Sequence, residues 1–418
     1  MNDIKTQIEA ANQKVMEILL DGQPVWTDVR PAGEAIPGFH ANLLLHAGPP
    51  VKPADIVPPV MTTLCGAAVH EGLAKDFASA RAMIESGEIQ IAPAQDYDCA
   101  CGAAMVTSAS TPVLVGQDTV FGGQGFSAIH PGTNPICLRW GYYNDAVEKD
   151  LSWFRDVYGP VLGKAIRSTG GINLRNILSR TAGMGDENHV RQTASSFALV
   201  LEMIRTVLDL DDAEGDAVIR ALIDCKEKFF LHVLMAGVMA ILKSAKNVPM
   251  STVMVGMGGN GTTFGLQFSG TGKQWFSVPA PKIIGQFLNP TWTDDEMCGY
   301  LGDSCVTEIY GLGGFSAIAG PGFVRLTGGT FADAHKRTEE ARSVSLSEHK
   351  WAPIPWDDYR GFPVGIDLRR VVANSTQLII HGGSTRLVGG QGGAGAMVLP
   401  QDLFKQALRA FSQQIGRN

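Results

Sequence analysis

Ser251-Thr252-Val253-Met254-Val255-Gly256-Met257-Gly258-Gly259-Asn260-Gly261-Thr262-Thr263-Phe264-Gly265-Leu266-Gln267-Phe268 is the stretch on which the fold turns. It opens with a strand-like run, Ser251–Val255, that feeds a cluster of glycines, as a dinucleotide-binding turn would. Such a turn must open a helix. Here Phe264, Leu266 and Phe268 fall at every second position, the period of a strand. The glycines therefore belong to a hairpin tip, and the nucleotide-binding reading fails. Asn260, at that tip, is a candidate substrate-binding residue. The next loop, Gly270-Thr271-Gly272-Lys273, lacks the earlier glycine of a phosphate loop, and Gln274 stands where Ser or Thr is required.

Upstream of the hairpin the texture is different. From about 145 to 246 Gly and Pro thin out and helical periodicity dominates. Phe229–Leu242 is the most apolar run; it is too short to span a bilayer, contains His232 and reads as a buried core helix. Further back, an amphipathic helix is expected over 1–21. Strands are expected at Val25–Val29, Leu43–Leu45, Ile89–Ile91 and Thr111–Val115, a helix over Ala67–Ser86, and a loop over Phe121–Pro135. Downstream, glycine-rich α/β sequence runs to Pro400 and a last helix covers about 401–415. The expected fold is thus α/β of the α+β type: two mixed α/β domains, 1–145 and 249–418, separated by a small helical domain, 146–248.

A chain of 418 residues is long enough for two or three domains. Its formal charge of −7, without a long basic run, argues against nucleic acid. The seven cysteines are odd in number and scattered; with no secretory signal read at the N-terminus they are expected as reduced thiols in a cytoplasm, with no membrane association. Cys99-Ala100-Cys101 has no second pair at zinc spacing, so no metal site is expected.

Polar chemistry concentrates in a few segments. Gly183-Met184-Gly185-Asp186-Glu187-Asn188-His189-Val190-Arg191 precedes a helical pattern through Phe197, Val200, Leu201, Ile204, Val207 and Leu208. Asp186 suits an N-cap, and the segment crowds carboxylates, an imidazole and a guanidinium around the helix start. Asp186, Glu187 and His189 are candidate catalytic residues and Arg191 a candidate anion clamp. Gly302-Asp303-Ser304 leads to Glu308 and then Gly311-Leu312-Gly313-Gly314. Glu308 is the further catalytic candidate; Asp303, Gly313 and Gly314 are binding candidates, the glycines through backbone N–H groups. Asp367, Arg369 and Arg370 could hold a carboxylate or phosphate. His46 follows a buried strand, and Glu71 and Lys75, four apart on the expected helix, could pair or bind. Ser384-Thr385-Arg386 matches a carbamoyl-phosphate-binding tripeptide of ordinary transcarbamoylases, but it lies near the C-terminus instead of at a helix start in an N-terminal domain.

Taken in order, His46–Pro50, Glu71–Asp76, Gly183–Arg191, Trp275-Phe276, Gly302–Gly314, Gly365–Val372 and Gly389–Gly395 resemble the YlbE/AllG family, over nearly the whole chain. The resemblance implies a subunit of oxamate carbamoyltransferase in allantoin and purine breakdown. It implies an FdrA/AllF-like partner and an AllH-like partner, with self-association left open. The implied reaction is phosphorolysis of oxalurate to oxamate and carbamoyl phosphate. It passes through a tetrahedral oxyanion, with anion clamps and a general acid/base, and needs no metal or organic cofactor. Rival readings are a non-catalytic scaffold subunit and a complex acting on another ureide or amide. A metal-dependent amidohydrolase acting alone lacks its ligand spacing.

Overall fold

The computed structural model describes residues 2–129, 137–225 and 228–416. It is an α/β protein in which several small sheets pack around one extended apolar core. Met254–Asn260 and Thr263–Phe268 form the expected antiparallel hairpin, with Phe264 opposite Gly259 and Leu266 opposite Met257. Leu301–Gly302 adds to one edge of this hairpin and Phe276–Pro279 to the other. The glycines of the first strand are spacers. A Cβ on Gly258 would lie 2.4 Å from Asp303 Oδ1, and one on Gly259 2.3 Å from the Tyr300 carbonyl. They let the 300–304 segment press onto the sheet, which is how the site is brought to it.

A five-stranded sheet holds Cys99–Ala100, Gln124–Ala128, Pro112–Asp118, Pro24–Pro31 and Ile172–Asn173 in that order. Its last strand comes from the mainly helical stretch. The Phe230–Ala245 helix lies across this sheet with its apolar residues buried on all sides. Gly116 and Gly125 make that approach possible, since a Cβ on either would fall 2.2–2.3 Å from the helix backbone at Ala236 or Ala240. Among the described residues no single helix is long and apolar enough to cross a bilayer.

Among the described residues there are three other sheets. Leu43–His46 pairs in parallel with Gln90–Pro93 and antiparallel with Val106–Thr107. Ile379–Thr385 pairs with Gln391–Val398, which pairs with Ile284–Phe287. Ser345–Ile354 pairs with Arg360–Ile366. Among the described residues three satellite cores sit in the N-terminal part, under Pro58–His70, around Phe126 and around Trp140.

Some local expectations change. The helix expected over 67–86 is two helices, Pro58–His70 and Phe77–Ser86, because Gly72 takes φ +69° and Asp76 caps the second afresh. The loop expected over 121–135 contains the strand Gln124–Ala128, and positions 130–136 lie outside the described residues. The Gly389–Gly395 run ends in a strand, where small residues let Ile284–Phe287 approach. All seven cysteines are buried, and among the described residues none joins another in a disulfide.

Candidate functional site

The helix after the Gly183–Arg191 segment begins only at Thr193, so Asp186 is not its N-cap. It reaches in from the preceding loop instead, and its Oδ2 accepts the Ser195 N–H at 2.9 Å. Asn188 takes φ +61°, a left-handed conformation that Asn tolerates, and its Oδ1 accepts the Ser195 hydroxyl at 2.6 Å. Glu187 Oε1 accepts the backbone N–H groups of Val190 at 2.7 Å and Arg191 at 2.6 Å. The loop is thus tied by its own side chains, and it holds Glu187 and His189 inward, both almost wholly buried. Of the apolar residues that follow, Val200 and Val207 are buried, whereas Phe197, Leu201 and Leu208 are exposed on a common face.

The opposite wall is the segment 302–314 with the strand Ile379–Thr385. Glu308 is fully buried, and its Oε1 accepts N–H groups from Gly314 at 3.0 Å and His381 at 2.7 Å. Its Oε2 lies 3.1 Å from His189 Nδ1, a close ion-pair contact outside ideal hydrogen-bond alignment. His189 Nε2 is 2.9 Å from the Ser304 hydroxyl. In the reciprocal pair, His381 Nδ1 lies 3.3 Å from Glu187 Oε2. The Gly313 N–H donates to the Glu187 carbonyl at 2.6 Å, closing the two walls. The His381 ring also packs 4.4 Å from that of Phe323.

These neighbours set the charges. Burial opposes an imidazolium at His189, but the carboxylates of Glu308 and Glu187 outweigh it and raise its pKa above the ordinary value. Burial opposes charge on Glu187 too, yet His381, His189 and the Arg191 N–H hold its pKa below the usual carboxylate value. At Asp186 burial wins, and its pKa is raised.

Beside this cluster, Asp303 Oδ1 accepts the Gly48 N–H at 2.9 Å and Gln95 Nε2 at 2.6 Å, while Oδ2 accepts the Cys101 N–H at 3.0 Å. Burial nevertheless pushes its pKa up to about 7. The His46–Pro50 turn is held on the same side, because Asn260 Nδ2 donates to the Pro49 carbonyl at 2.9 Å. Burial lowers the His46 pKa to about 4, so its ring is neutral at pH 7; Nδ1 lies 2.8 Å from the Ala47 carbonyl, and Nε2 is buried without a hydrogen-bond partner among the described residues.

The structure thus gathers Asp186, Glu187, His189, Glu308, Gly313 and Gly314 into one cluster, with Asp303, His46 and Asn260 alongside. Other candidates are engaged elsewhere. Asp367 caps the helix Leu368–Asn374, accepts the Thr252 hydroxyl at 2.8 Å and pairs with Arg369 at 2.7 Å. Arg370 donates to the Ser345 carbonyl at 2.5 Å. Glu71 and Lys75 do not pair, because the helix stops at His70. Glu71 accepts the N–H and hydroxyl of Ser110, and Lys75 lies 3.9 Å from Asp76. The backbone N–H groups of Gly311–Gly314 are also not a free oxyanion nest, since they are spent on Glu308, Thr307 and Glu187.

Two participants were not singled out by the sequence. His381 was visible only as an imidazole before two glycines, and its inward place in a buried strand is the signal that could have found it. Ser304 sits inside the Gly302–Gly314 segment, where the charged Asp303 and Glu308 carry the stronger sequence signal. The Ser384-Thr385-Arg386 tripeptide ends the same strand as His381, away from any helix start. Its two hydroxyls are buried without hydrogen-bond partners among the described residues, and Arg386 covers the Trp292 ring.

A surface cleft of about 400 Å³ is lined among others by Val190, Arg191, Lys228, Phe323, Gln391 and Gly393, and Phe323, packed on the His381 ring, stands between it and the cluster. Arg191 stands exposed there, its Nε donating to the Gly185 carbonyl at 2.9 Å. A cationic side chain at a rim, with buried carboxylate–imidazole pairs behind it, suits a small anion and a proton-transfer step. A different grouping, His335, Glu339 and Asp357, has its carboxylates paired with Arg342 and, at Glu339, also with Arg360.

Comparison with known proteins gives concordant matches. The family model described as oxamate carbamoyltransferase subunit AllG matches residues 89–304. The chain is 32% identical over 417 residues to oxamate carbamoyltransferase subunit AllG of Escherichia coli K12, covering 98% of this chain and 99% of that one. It is 32% identical over 413 residues to the uncharacterized protein YahG of the same organism, covering 98% and 87%. A crystal structure of a conserved protein of unknown function from Enterococcus faecalis V583 superposes with a TM-score of 0.94 at 31% identity, covering 98% and 99%.

Proposed function

The chain belongs to the family of oxamate carbamoyltransferase subunit AllG, and from that premise we propose that its Glu187–His381 and His189–Glu308 cluster carries carbamoyl transfer. The reaction is phosphorolysis of oxalurate to oxamate and carbamoyl phosphate, in allantoin and purine breakdown in the cytoplasm. The chain acts with an FdrA/AllF-like subunit and an AllH-like subunit. The observation that carries the catalytic reading is the burial of two carboxylates and two imidazoles in contact with one another, beside a cleft with the cationic Arg191 at its rim.

Buried ionisable groups cost several kcal/mol each unless paired, and a structural core gains more from apolar side chains. Their retention together fits proton transfer. His189, next to a carboxylate, is suited to take a proton from a nucleophile and return it to the departing nitrogen. Arg191, exposed at the rim, is suited to the oxamate carboxylate or to phosphate. The exposed face of Phe197, Leu201 and Leu208 is what a subunit contact would cover, in keeping with work in a complex.

Purification of the complex, with and without this chain, followed by an assay of carbamoyl phosphate formed from oxalurate and phosphate, tests the reading. Activity should need this chain and should fall sharply with His189→Ala. A fully active complex containing His189→Ala would move the chemistry to another subunit and leave this chain a scaffold.

A further inference from the structure

Ser304, His189 and Glu308 form a line that general acid–base catalysis alone does not require. The Ser304 hydroxyl is 2.9 Å from His189 Nε2, and the other ring nitrogen is 3.1 Å from Glu308 Oε2. The far oxygen of Glu308 is fixed by the N–H groups of Gly314 and His381, so its near oxygen is aimed at the imidazole. This is the order nucleophile, base, orienting carboxylate. His189 and Glu308 are buried, whereas Ser304 is half-buried and is the member of the line that reaches solvent. Ser195 provides the contrast: it is fully buried, held between Thr181 and Asn188, and cannot meet a substrate.

We propose that Ser304 is the nucleophile and carries the carbamoyl group as a covalent ester between the two halves of the reaction. The proposal rests on the carbamoyl-transfer reading above and adds the route. In the first half, Ser304 Oγ bonds to the carbamoyl carbon of oxalurate as its proton passes to His189 Nε2. The carbon–nitrogen bond then breaks, and His189 gives that proton to the leaving nitrogen, which departs as oxamate. In the second half, an oxygen of hydrogen phosphate attacks the carbamoyl carbon and its proton passes to His189. The bond to Ser304 Oγ breaks, His189 reprotonates that oxygen, and carbamoyl phosphate leaves. Atoms and charge balance, and no redox partner is involved. Glu308 and His381 are positioning residues in this route: the first orients His189, and the second, through its backbone N–H, orients Glu308.

A covalent route makes a prediction that direct attack by phosphate does not. The assembled wild-type complex, given carbamoyl phosphate and isotopically labelled phosphate without oxamate, should exchange label into carbamoyl phosphate. Rapid acid quench followed by peptide mass analysis should find one carbamoyl group on the peptide carrying Ser304. Ser304→Ala should abolish both signals and lower turnover by at least about 10³-fold, while Ser304→Cys, which keeps a nucleophile, should still accumulate an adduct. Net transfer without exchange or adduct, or an adduct mapped to another residue, would overturn the Ser304 route and leave the carbamoyl-transfer reading standing. A complex that makes no carbamoyl phosphate from oxalurate would remove both.

Discussion

His381 is tied to both carboxylates of the cluster at once: its Nδ1 lies 3.3 Å from Glu187 Oε2, and its backbone N–H donates to Glu308 at 2.7 Å. One residue therefore couples the two ion pairs, and neither carboxylate can shift without disturbing the other. His381→Ala keeps the backbone N–H to Glu308 and removes the imidazole beside Glu187, so it should reduce turnover through a misplaced Glu187 even where substrate affinity is kept. Steady-state kinetics would show a fall in kcat with KM little changed.

The raised pKa of His189 fixes the sense of a pH effect. A base acts only when unprotonated, so kcat/KM should rise with pH through a limb above the ordinary histidine value of 6.5. Glu308→Gln removes the charge that sustains the imidazolium. That limb should then move to lower pH while the plateau drops by about 10²–10⁴-fold. A limb that stays in place in this variant would detach Glu308 from His189.

Asp303 gives a linkage test independent of turnover. Its pKa is about 7 in the folded chain against an ordinary 3.8, so between these values the folded state binds more protons than the unfolded one. The stability it contributes is fully present below 3.8 and is lost as pH rises through 7. Melting temperatures of wild type and Asp303→Asn, measured from pH 4 to 8, should show wild type losing ground to the variant with rising pH. A constant difference would contradict the raised pKa.

Gly313 takes φ +61°, and a Cβ there would lie 2.5 Å from Glu308 Cγ. Gly313→Ala should cost more than about 1 kcal/mol in denaturant melts and depress activity by displacing Glu308.

Arg369 and Arg191 separate structure from binding. Arg369 neutralises the buried Asp367, so Arg369→Ala should lose about 1–3 kcal/mol of stability with rate constants unchanged. Arg191 is exposed at the cleft rim, so Arg191→Ala should leave the melting curve in place and raise KM for the anionic substrate about tenfold.

Much of the fold was legible because it is written in local periods. The hairpin at Met254–Phe268 shows its alternation, the Phe230–Ala245 helix its unbroken apolar run, and Gln401–Ile415 its amphipathic stripe. The break between His70 and Phe77 was missed because the alanines and apolar residues on either side keep a helical period across it. For the cluster, Glu187, His189 and Glu308 were legible as dense polar residues beside glycines. Their pairing was not, because each imidazole meets a carboxylate from a distant segment. Arg369 misled for the opposite reason: its partner Asp367 sits two residues away, and a local ion pair looks the same in sequence as an anion clamp.

The exchange of partners between the two walls has one more consequence. Were the polypeptide nicked between Arg191 and Asp303, the leading fragment would own Glu187 and His189 and the trailing fragment Glu308 and His381. Each piece would carry one acid and one imidazole, yet both ion-pair contacts seen here join one fragment to the other. Neither piece could rehearse the chemistry alone, and reassociation would restore both contacts together.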